Sequence, residues 1–178
     1  SDDHLNNVQN YIKLAKDEGS EIILDGRKIN DRRNIDKKGY FLGPTVIDSV
    51  KPNMKSYLNE IFGPVLQIIE IDNIEEGIQI INQNSFGNGC CIFTENGNYA
   101  REFSEKVDIG MVGVNIPLPV PSSFHSFGGW KNSLFGDLNI YGPDGLRFYT
   151  RRKTITQRWF GNSDISEINL SMPSNQKN

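Results

Sequence analysis

The apolar positions in the first fifty residues change from a helical to an extended spacing. Four of them recur at steps of three and four residues, which predicts one buried face of an α-helix: Leu5, Val8, Ile12 and Ala15. Gly19 follows the basic end of this segment and suits a helix stop. The short apolar runs at residues 22–24 and 45–47 predict two strands. The charged and polar residues 30–39 between them predict an exposed loop.

From residue 60 onward the pattern predicts alternating strands and helices. Residues 65–71 predict a buried strand, and Asp72 with Glu75 three residues later predicts the N-cap of the next helix. Two helices each show an apolar face, with Ile74, Ile78 and Ile81 on the first and Tyr99, Phe103 and Val107 on the second. Residues 90–94 and 111–115 predict further strands. This order is typical of the α/β class, with an open, mostly parallel sheet and helices on both faces.

Residues 115–131 interrupt the alternation with three prolines and two phenylalanines: Pro117, Pro119, Pro121, Phe124 and Phe127. A stretch of this length without periodicity predicts a functional loop rather than a linker. Residues 153–158 alternate in polarity and predict a strand at the end of the chain. Residues 161–178 are rich in Ser and Asn, and we expect a disordered polar tail there.

Composition excludes several classes of protein. Nineteen Lys and Arg against 22 Asp and Glu give a formal net charge of −3, which argues against nucleic acid as a partner. No apolar run approaches the ~18 residues of a membrane span, so a transmembrane protein is excluded and no membrane partner is expected. The chain has two cysteines, and they are adjacent, which argues against a disulfide-stapled scaffold.

Residues 59–64 are the most informative loop for chemistry. Glu60 stands at the mouth of a strand and could accept hydrogen bonds from a diol such as ribose, while Phe62 could press on a flat heterocycle. The alternative is a solvated glutamate and a core phenylalanine, and spacing alone favours this alternative.

Cysteine and histidine supply no further site. Cys90 and Cys91 have no histidine pattern that would complete a zinc site, so no metal is expected. Neighbours on a strand point to opposite faces, and free cysteine is usually buried, so core packing is the better interpretation. His125 lies in the proline-rich loop without a partner at the spacing of a catalytic triad.

Several short motifs resemble the aldehyde dehydrogenase superfamily in order and spacing. They occupy residues 60–65 (EIFGPV), 87–94 (GNGCCIFT) and 127–133 (FGGWKNS). Other segments are more specifically similar to the methylmalonate-semialdehyde dehydrogenases, including residues 112–121 (VGVNIPLPVP) and 148–150 (FYT). The resemblance covers nearly everything except the polar tail.

The resemblance implies an NAD-dependent oxidation of methylmalonate or malonate semialdehyde. A cysteine thiolate attacks the aldehyde, hydride passes to NAD, and the acyl group is transferred to coenzyme A with loss of carbon dioxide. By resemblance, Glu60 binds the nicotinamide-side ribose and Phe62 lies beside it. Phe124 and Phe127 belong to the substrate tunnel. The nucleophilic cysteine is expected upstream of this chain, which would therefore be an inactive fragment with no catalytic residue of its own.

The resemblance also divides the chain. Residues 1–150 would be the C-terminal part of the catalytic domain, 151–160 an oligomerisation strand and 161–178 a tail. The strand at 153–158 would join a homodimer or homotetramer, and the family implies a mitochondrial location, otherwise a cytoplasmic one. Two alternatives stay open: an aldehyde dehydrogenase for another small acyl aldehyde, and a non-catalytic α/β assembly module.

Overall fold

The computed structural model describes residues 1–28, 39–157 and 159, and its first element is the predicted amphipathic helix. Helix α1 spans Asp2–Asp17, and its N-cap Ser1 accepts a hydrogen bond from the backbone N–H of His4 at 3.3 Å. The helix buries Val8, Ile12 and Ala15, as predicted. Gly19 follows the helix with a φ of 100°, a left-handed conformation that glycine adopts without strain. The loop predicted at 30–39 lies outside the described residues except for its last position.

A three-stranded sheet packs against α1. Strand β1 (Glu21–Leu24) is antiparallel to β2 (Thr45–Asp48), which is parallel to β3 (Val65–Gln67), and the short helix α2 (Lys55–Leu58) lies between β2 and β3. Four buried side chains form the core at this contact: Ala15, Ile47, Val50 and Met54.

The second half of the described chain has its own core. Its elements are α3 (Ile74–Gln83), β4 (Phe86–Gly87), β5 (Gly89–Ile92), α4 (Gly97–Lys106), β6 (Met111–Val114), β7 (Trp130–Lys131) and α5 (Gly142–Tyr149). Strands β5 and β6 are parallel, whereas β4 and β7 are antiparallel. The buried side chains are supplied mainly by α3 and α4 and by the residues after α4: Ile78, Phe103, Val107 and Ile109.

The α/β class is confirmed, and parallel pairing occurs at β2/β3 and at β5/β6. Within the described residues the strands form three separate sheets rather than one continuous sheet. The prediction of a buried strand over residues 65–71 is wrong in extent and in burial, because the strand ends at Gln67 and Leu66 is 60% exposed. The N-cap of α3 is Asn73 rather than Asp72, since its side chain accepts from the backbone N–H of Glu76 at 2.9 Å.

Residues 151–157 are exposed and form no ladder with the rest of the described chain. The strand predicted at residues 153–158 would pair with a sister subunit, and this pairing stays a prediction. Arg158 and the predicted tail at 161–178 lie outside the described residues. Within the described ranges, none of the helices combines the length and the apolar composition of a membrane span.

Candidate active site segments

The Glu60 loop, residues 59–64, connects α2 to β3, and hydrogen bonds near its C-terminal end tie it to neighbouring elements. Nε2 of His4, on α1, lies 2.7 Å from the carbonyl oxygen of Phe62. The carbonyl of Pro64 accepts from the backbone N–H of Thr45, on β2, at 2.9 Å. The loop is therefore fixed to both the first helix and the central strand of its sheet.

Glu60 and Phe62 open onto two different hollows of the surface. Glu60 lines one with Tyr57 and Phe86, whereas Phe62 lines another with His4 and residues nearby on α1. Among the described residues, none forms a hydrogen bond or ion pair with the Glu60 carboxylate, and the Phe62 side chain is 74% exposed. Both groups are thus available to a ligand, the carboxylate as an acceptor and the ring as an apolar surface.

Helix α2, which leads into this loop, is capped from α1. Oε1 of Glu18 accepts from the backbone N–H of Lys55 at 2.8 Å. Oε2 accepts from the hydroxyl of Ser56 at 2.7 Å and from its N–H at 3.1 Å. The Ser56 hydroxyl is the largest cause of the lowered pKa of Glu18. The Ser56 carbonyl accepts from Nε2 of Gln67, on β3, at 2.8 Å, so one network joins three elements around the Glu60 loop.

Residues 116–129, here called the tunnel segment after the role that the resemblance implies, contain the other two predicted site residues. The Phe124 side chain is 71% exposed, with its ring tilted 44° against His125 at 4.3 Å. The Phe127 ring is half-buried and stacks on Tyr141, with 4.8 Å between ring centroids and 8° between planes. The two phenylalanines therefore contact different neighbours.

Side chains and backbone groups anchor the tunnel segment at several points. Before it, Asn115 exchanges two hydrogen bonds with the backbone of Thr94, at 2.9 and 3.0 Å. Within it, the hydroxyl of Ser126 accepts from the backbone N–H of Asp144, on α5, at 3.1 Å. After it, the Lys131 ammonium contacts the end of α3. A stretch with little regular structure is thus tied to several elements.

The two cysteines lie on β5, half-buried, and Cys90 packs against the second core cluster. Burial raises the pKa of the Cys90 thiol to about 11, with a smaller contribution from Cys91 beside it. A thiol of this kind is a poor source of thiolate at neutral pH, in agreement with the packing interpretation. The described residues also contain no group of three His, Cys, Asp or Glu side chains placed to hold a metal ion.

Sequence reasoning assigned no role to three residues that organise these segments: Glu18, Lys131 and Tyr141. Glu18 carries no local signal, because its partners are 37 and 38 residues away. Lys131 occurs in the 127–133 motif, but the motif assigns it no role. Tyr141 precedes a helix that buries none of its residues, so no apolar periodicity marks the region.

The chain belongs to the aldehyde dehydrogenase family, whose model matches residues 1–155. Among the relatives, a malonate-semialdehyde dehydrogenase of Pseudomonas aeruginosa is 50% identical over 167 residues, which are 94% of this chain and 33% of that protein. The corresponding protein of Halalkalibacterium halodurans is 47% identical over 156 residues, 88% of this chain and 31% of that protein.

The chain is also similar to solved structures of semialdehyde dehydrogenases. A methylmalonate-semialdehyde dehydrogenase from Oceanimonas doudoroffii superposes with a TM-score of 0.84 at 51% identity, covering 89% of this chain and 32% of that chain. A protein assigned the same activity from Sinorhizobium meliloti, solved with NAD, has a TM-score of 0.81 at 41% identity, covering 92% and 33%. The chain thus spans about a third of the length of the proteins it matches.

Proposed function

We propose that this chain is part of an enzyme that oxidises malonate or methylmalonate semialdehyde with NAD and transfers the acyl group to coenzyme A. The observation that carries the proposal is the 50% identity to a malonate-semialdehyde dehydrogenase across nearly the whole chain. The fold similarity to a methylmalonate-semialdehyde dehydrogenase supports the same substrate class. Because the match covers a third of each relative, the activity is proposed for a longer protein.

The Glu60 loop would bind the nicotinamide end of the cofactor. Bound NAD supplies the acceptor for the hydride of the aldehyde. The exposed Glu60 carboxylate would accept hydrogen bonds from the ribose hydroxyls, and charge-assisted bonds of this kind are each worth ~1.5–3 kcal/mol. The exposed ring of Phe62 would pack beside the ribose. Each residue fits its own part of this role, because the described part of the chain leaves the carboxylate unpaired and the ring uncovered, although the two line different hollows.

The tunnel segment would line the path of the aldehyde. Phe124 and Phe127 would give it apolar walls and exclude water from the reacting carbon. By resemblance, the nucleophilic cysteine belongs to another part of the enzyme, and the raised pKa of Cys90 and its core packing do not suit that thiol for attack. Residues 1–150 would then be one part of the catalytic domain, 151–160 its oligomerisation strand and 161–178 a tail.

Glu60→Gln tests the proposal in the longer enzyme. The amide keeps the shape of the side chain but loses its charge. We expect hydride transfer, followed as NADH absorbance in a single turnover with malonate semialdehyde, to slow by roughly tenfold or more. The exposed Glu70, changed to Gln, is the matched control and should leave the rate unchanged.

Three outcomes, from this experiment and two further assays, would contradict parts of the proposal. An unchanged rate together with unchanged NAD affinity in Glu60→Gln would make Glu60 a surface residue. The 178-residue chain alone should produce no NADH, and production that Cys90→Ala or Cys91→Ala abolishes would show that the nucleophile lies within this chain. A wild-type enzyme that turns over another small aldehyde in preference to the semialdehydes would favour the broader aldehyde dehydrogenase alternative.

The cellular location is a separate part of the proposal. The resemblance implies a mitochondrial enzyme, whereas the relatives named above come from bacteria. Imaging of the tagged full-length protein in its own cells distinguishes a mitochondrial from a cytoplasmic distribution.

A further inference from the structure

The ammonium of Lys131 lies at the C-terminal end of α3, where three backbone carbonyls converge. Nζ is 3.2 Å from the oxygen of Ile81, 3.0 Å from that of Asn82 and 3.0 Å from that of Asn84. Ile81 and Asn82 belong to the last turn of α3, whose carbonyls form the negative end of the helix dipole, and the Ile81 carbonyl also accepts from the N–H of Asn84 at 3.3 Å. An ammonium supplies three donors and a positive charge at one atom, and therefore satisfies all three carbonyls together.

The backbone of Lys131 is also unusual. Its φ is 52°, in the left-handed region, which is uncommon for a residue other than Gly, Asn or Asp. Asn115 has a φ of 56° at the opposite end of the tunnel segment, where its amide binds Thr94. Such conformations persist where surrounding contacts hold the strained backbone in place, and they concentrate at functional sites. The tunnel segment is thus bracketed by two fixed left-handed residues.

Further contacts hold the residues that neighbour Lys131 in the chain. The hydroxyl of Ser133 accepts from the N–H of Gly87 at 3.1 Å, and the N–H of Asn132 donates to the carbonyl of Ser85 at 3.1 Å. A Cβ at Gly110 would overlap the carbonyl of Gly128, so the backbones are in close contact there. These contacts begin at Gly128, the residue after Phe127, and they therefore constrain the position of the Phe127 backbone.

We propose that Lys131 is a positioning residue for aldehyde binding: it ties the end of the tunnel segment to the C-terminus of α3 and so sets the position of Phe127. This inference rests on the proposed function, in which the tunnel segment lines the aldehyde path. Lys131 touches neither substrate nor cofactor in this scheme. Its effect passes through the backbone from residue 131 back to residue 127.

Lys131→Met in the longer enzyme tests the inference, because methionine fills similar space without the charge. We expect faster hydrogen–deuterium exchange in peptides covering residues 116–133. We also expect the KM for the semialdehyde to rise by roughly tenfold, because small displacements of positioning groups are costly, with the KM for NAD unchanged. Lys106→Met is the control: its ammonium pairs with Glu102 at 2.6 Å, so the same charge is lost on the exposed surface of α4.

Lys131→Arg should fall between wild type and Lys131→Met, because arginine keeps the charge but cannot present three donors from one nitrogen. If Lys131→Met behaves like Lys106→Met, or loses thermal stability with an unchanged aldehyde KM, the positioning role is wrong. If Lys131→Met does not fold, a Lys131→Arg enzyme with wild-type exchange and KM overturns the inference. Faster exchange in residues 116–133 without any effect on semialdehyde turnover would instead leave Lys131 as an anchor and contradict the proposed role of the tunnel segment.

Discussion

At the scale of single residues, the environment of Cys90 argues against this thiol as a nucleophile. The side chain is half-buried on β5 and packs against a core that includes Ile78 and Phe103. Desolvation disfavours a thiolate, which is the main reason why its pKa is raised to about 11. The thiol therefore behaves as a small apolar group in the folded chain.

Alkylation by iodoacetamide should distinguish Cys90 in the folded and unfolded states. Because the raised pKa leaves little of this thiol ionised at pH 8 in the folded chain, peptide mass mapping should find it modified much more slowly there than in denaturant. Because the folded pKa is raised, its contribution to stability is complete below the ordinary thiol pKa and is lost as the pH rises to about 11. Native-state labelling as fast as that of a free thiol would contradict this account.

At the scale of elements, the contact between α1 and α2 depends on one carboxylate. Glu18 holds the two N–H groups and the hydroxyl that begin α2, and the fully buried Ser56 has no other acceptor for that hydroxyl among the described residues. This contact sets the direction in which the chain leaves α2 toward Glu60. The first helix therefore contributes to the candidate cofactor site without touching it.

Glu18→Gln should lower the stability of the chain near neutral pH. The pKa of Glu18 is lowered in the fold, mainly by the Ser56 hydroxyl, so the stability it contributes is present above its ordinary pKa and is lost as the pH falls through its folded pKa. The difference between Glu18→Gln and wild type in urea unfolding should thus shrink on acidification. Glu70→Gln is the control, and an equal loss at neutral and acid pH would attribute the effect to shape rather than charge.

The sequence predicted those elements that bury a regular apolar face. Helices α1, α3 and α4 each bury at least one residue of the face read from the spacing. Helix α5 buries none, so no periodicity marked it, although Pro143 at its start was a usable signal. Strands β4 and β7 have two residues each, too short for any alternation.

The candidate site was predictable only through motifs. The exposed Glu60 and Phe62 have no local pattern that separates a ligand-binding loop from a solvated one, and resemblance alone singled them out. The same resemblance included Lys131 without its role, because its contacts with residues 81–84 arise from tertiary packing 47 to 50 residues away. Long-range contacts of this kind cannot be predicted from the local pattern of a single sequence.

At the scale of the whole molecule, the described chain has two small cores and a large uncovered apolar surface. The cores lie at residues 8–54 and 78–109, whereas the described residues between 134 and 159 contribute no buried side chain. The most exposed large apolar side chains of that region are Phe135, Ile140, Leu146, Phe148, Tyr149, Ile155 and Trp159. Apolar surface of this extent usually marks contact with other protein. An uncovered apolar surface is expected of a chain that spans about a third of the length of its relatives.

The region 153–157 allows the strongest test of such a contact. Its residues are exposed, Ile155 is 67% exposed, and none of them pairs with another strand of the described chain. Thr154, Ile155 and Thr156 favour an extended conformation, and an unpaired edge of this kind is open to pairing with a second chain. We therefore expect the longer enzyme to be a dimer or tetramer with this segment at a subunit boundary.

Ile155→Pro should shift the longer enzyme toward monomer in sedimentation velocity, because proline removes one backbone N–H and blocks a ladder in the middle of the strand. Ile155→Thr keeps the N–H and the β-branched shape, and so measures the loss of the apolar side chain alone. A larger shift for proline than for threonine would assign the interface to backbone pairing. Equal shifts would assign it to side-chain packing, and an oligomer of unchanged size in both variants would place the subunit boundary elsewhere.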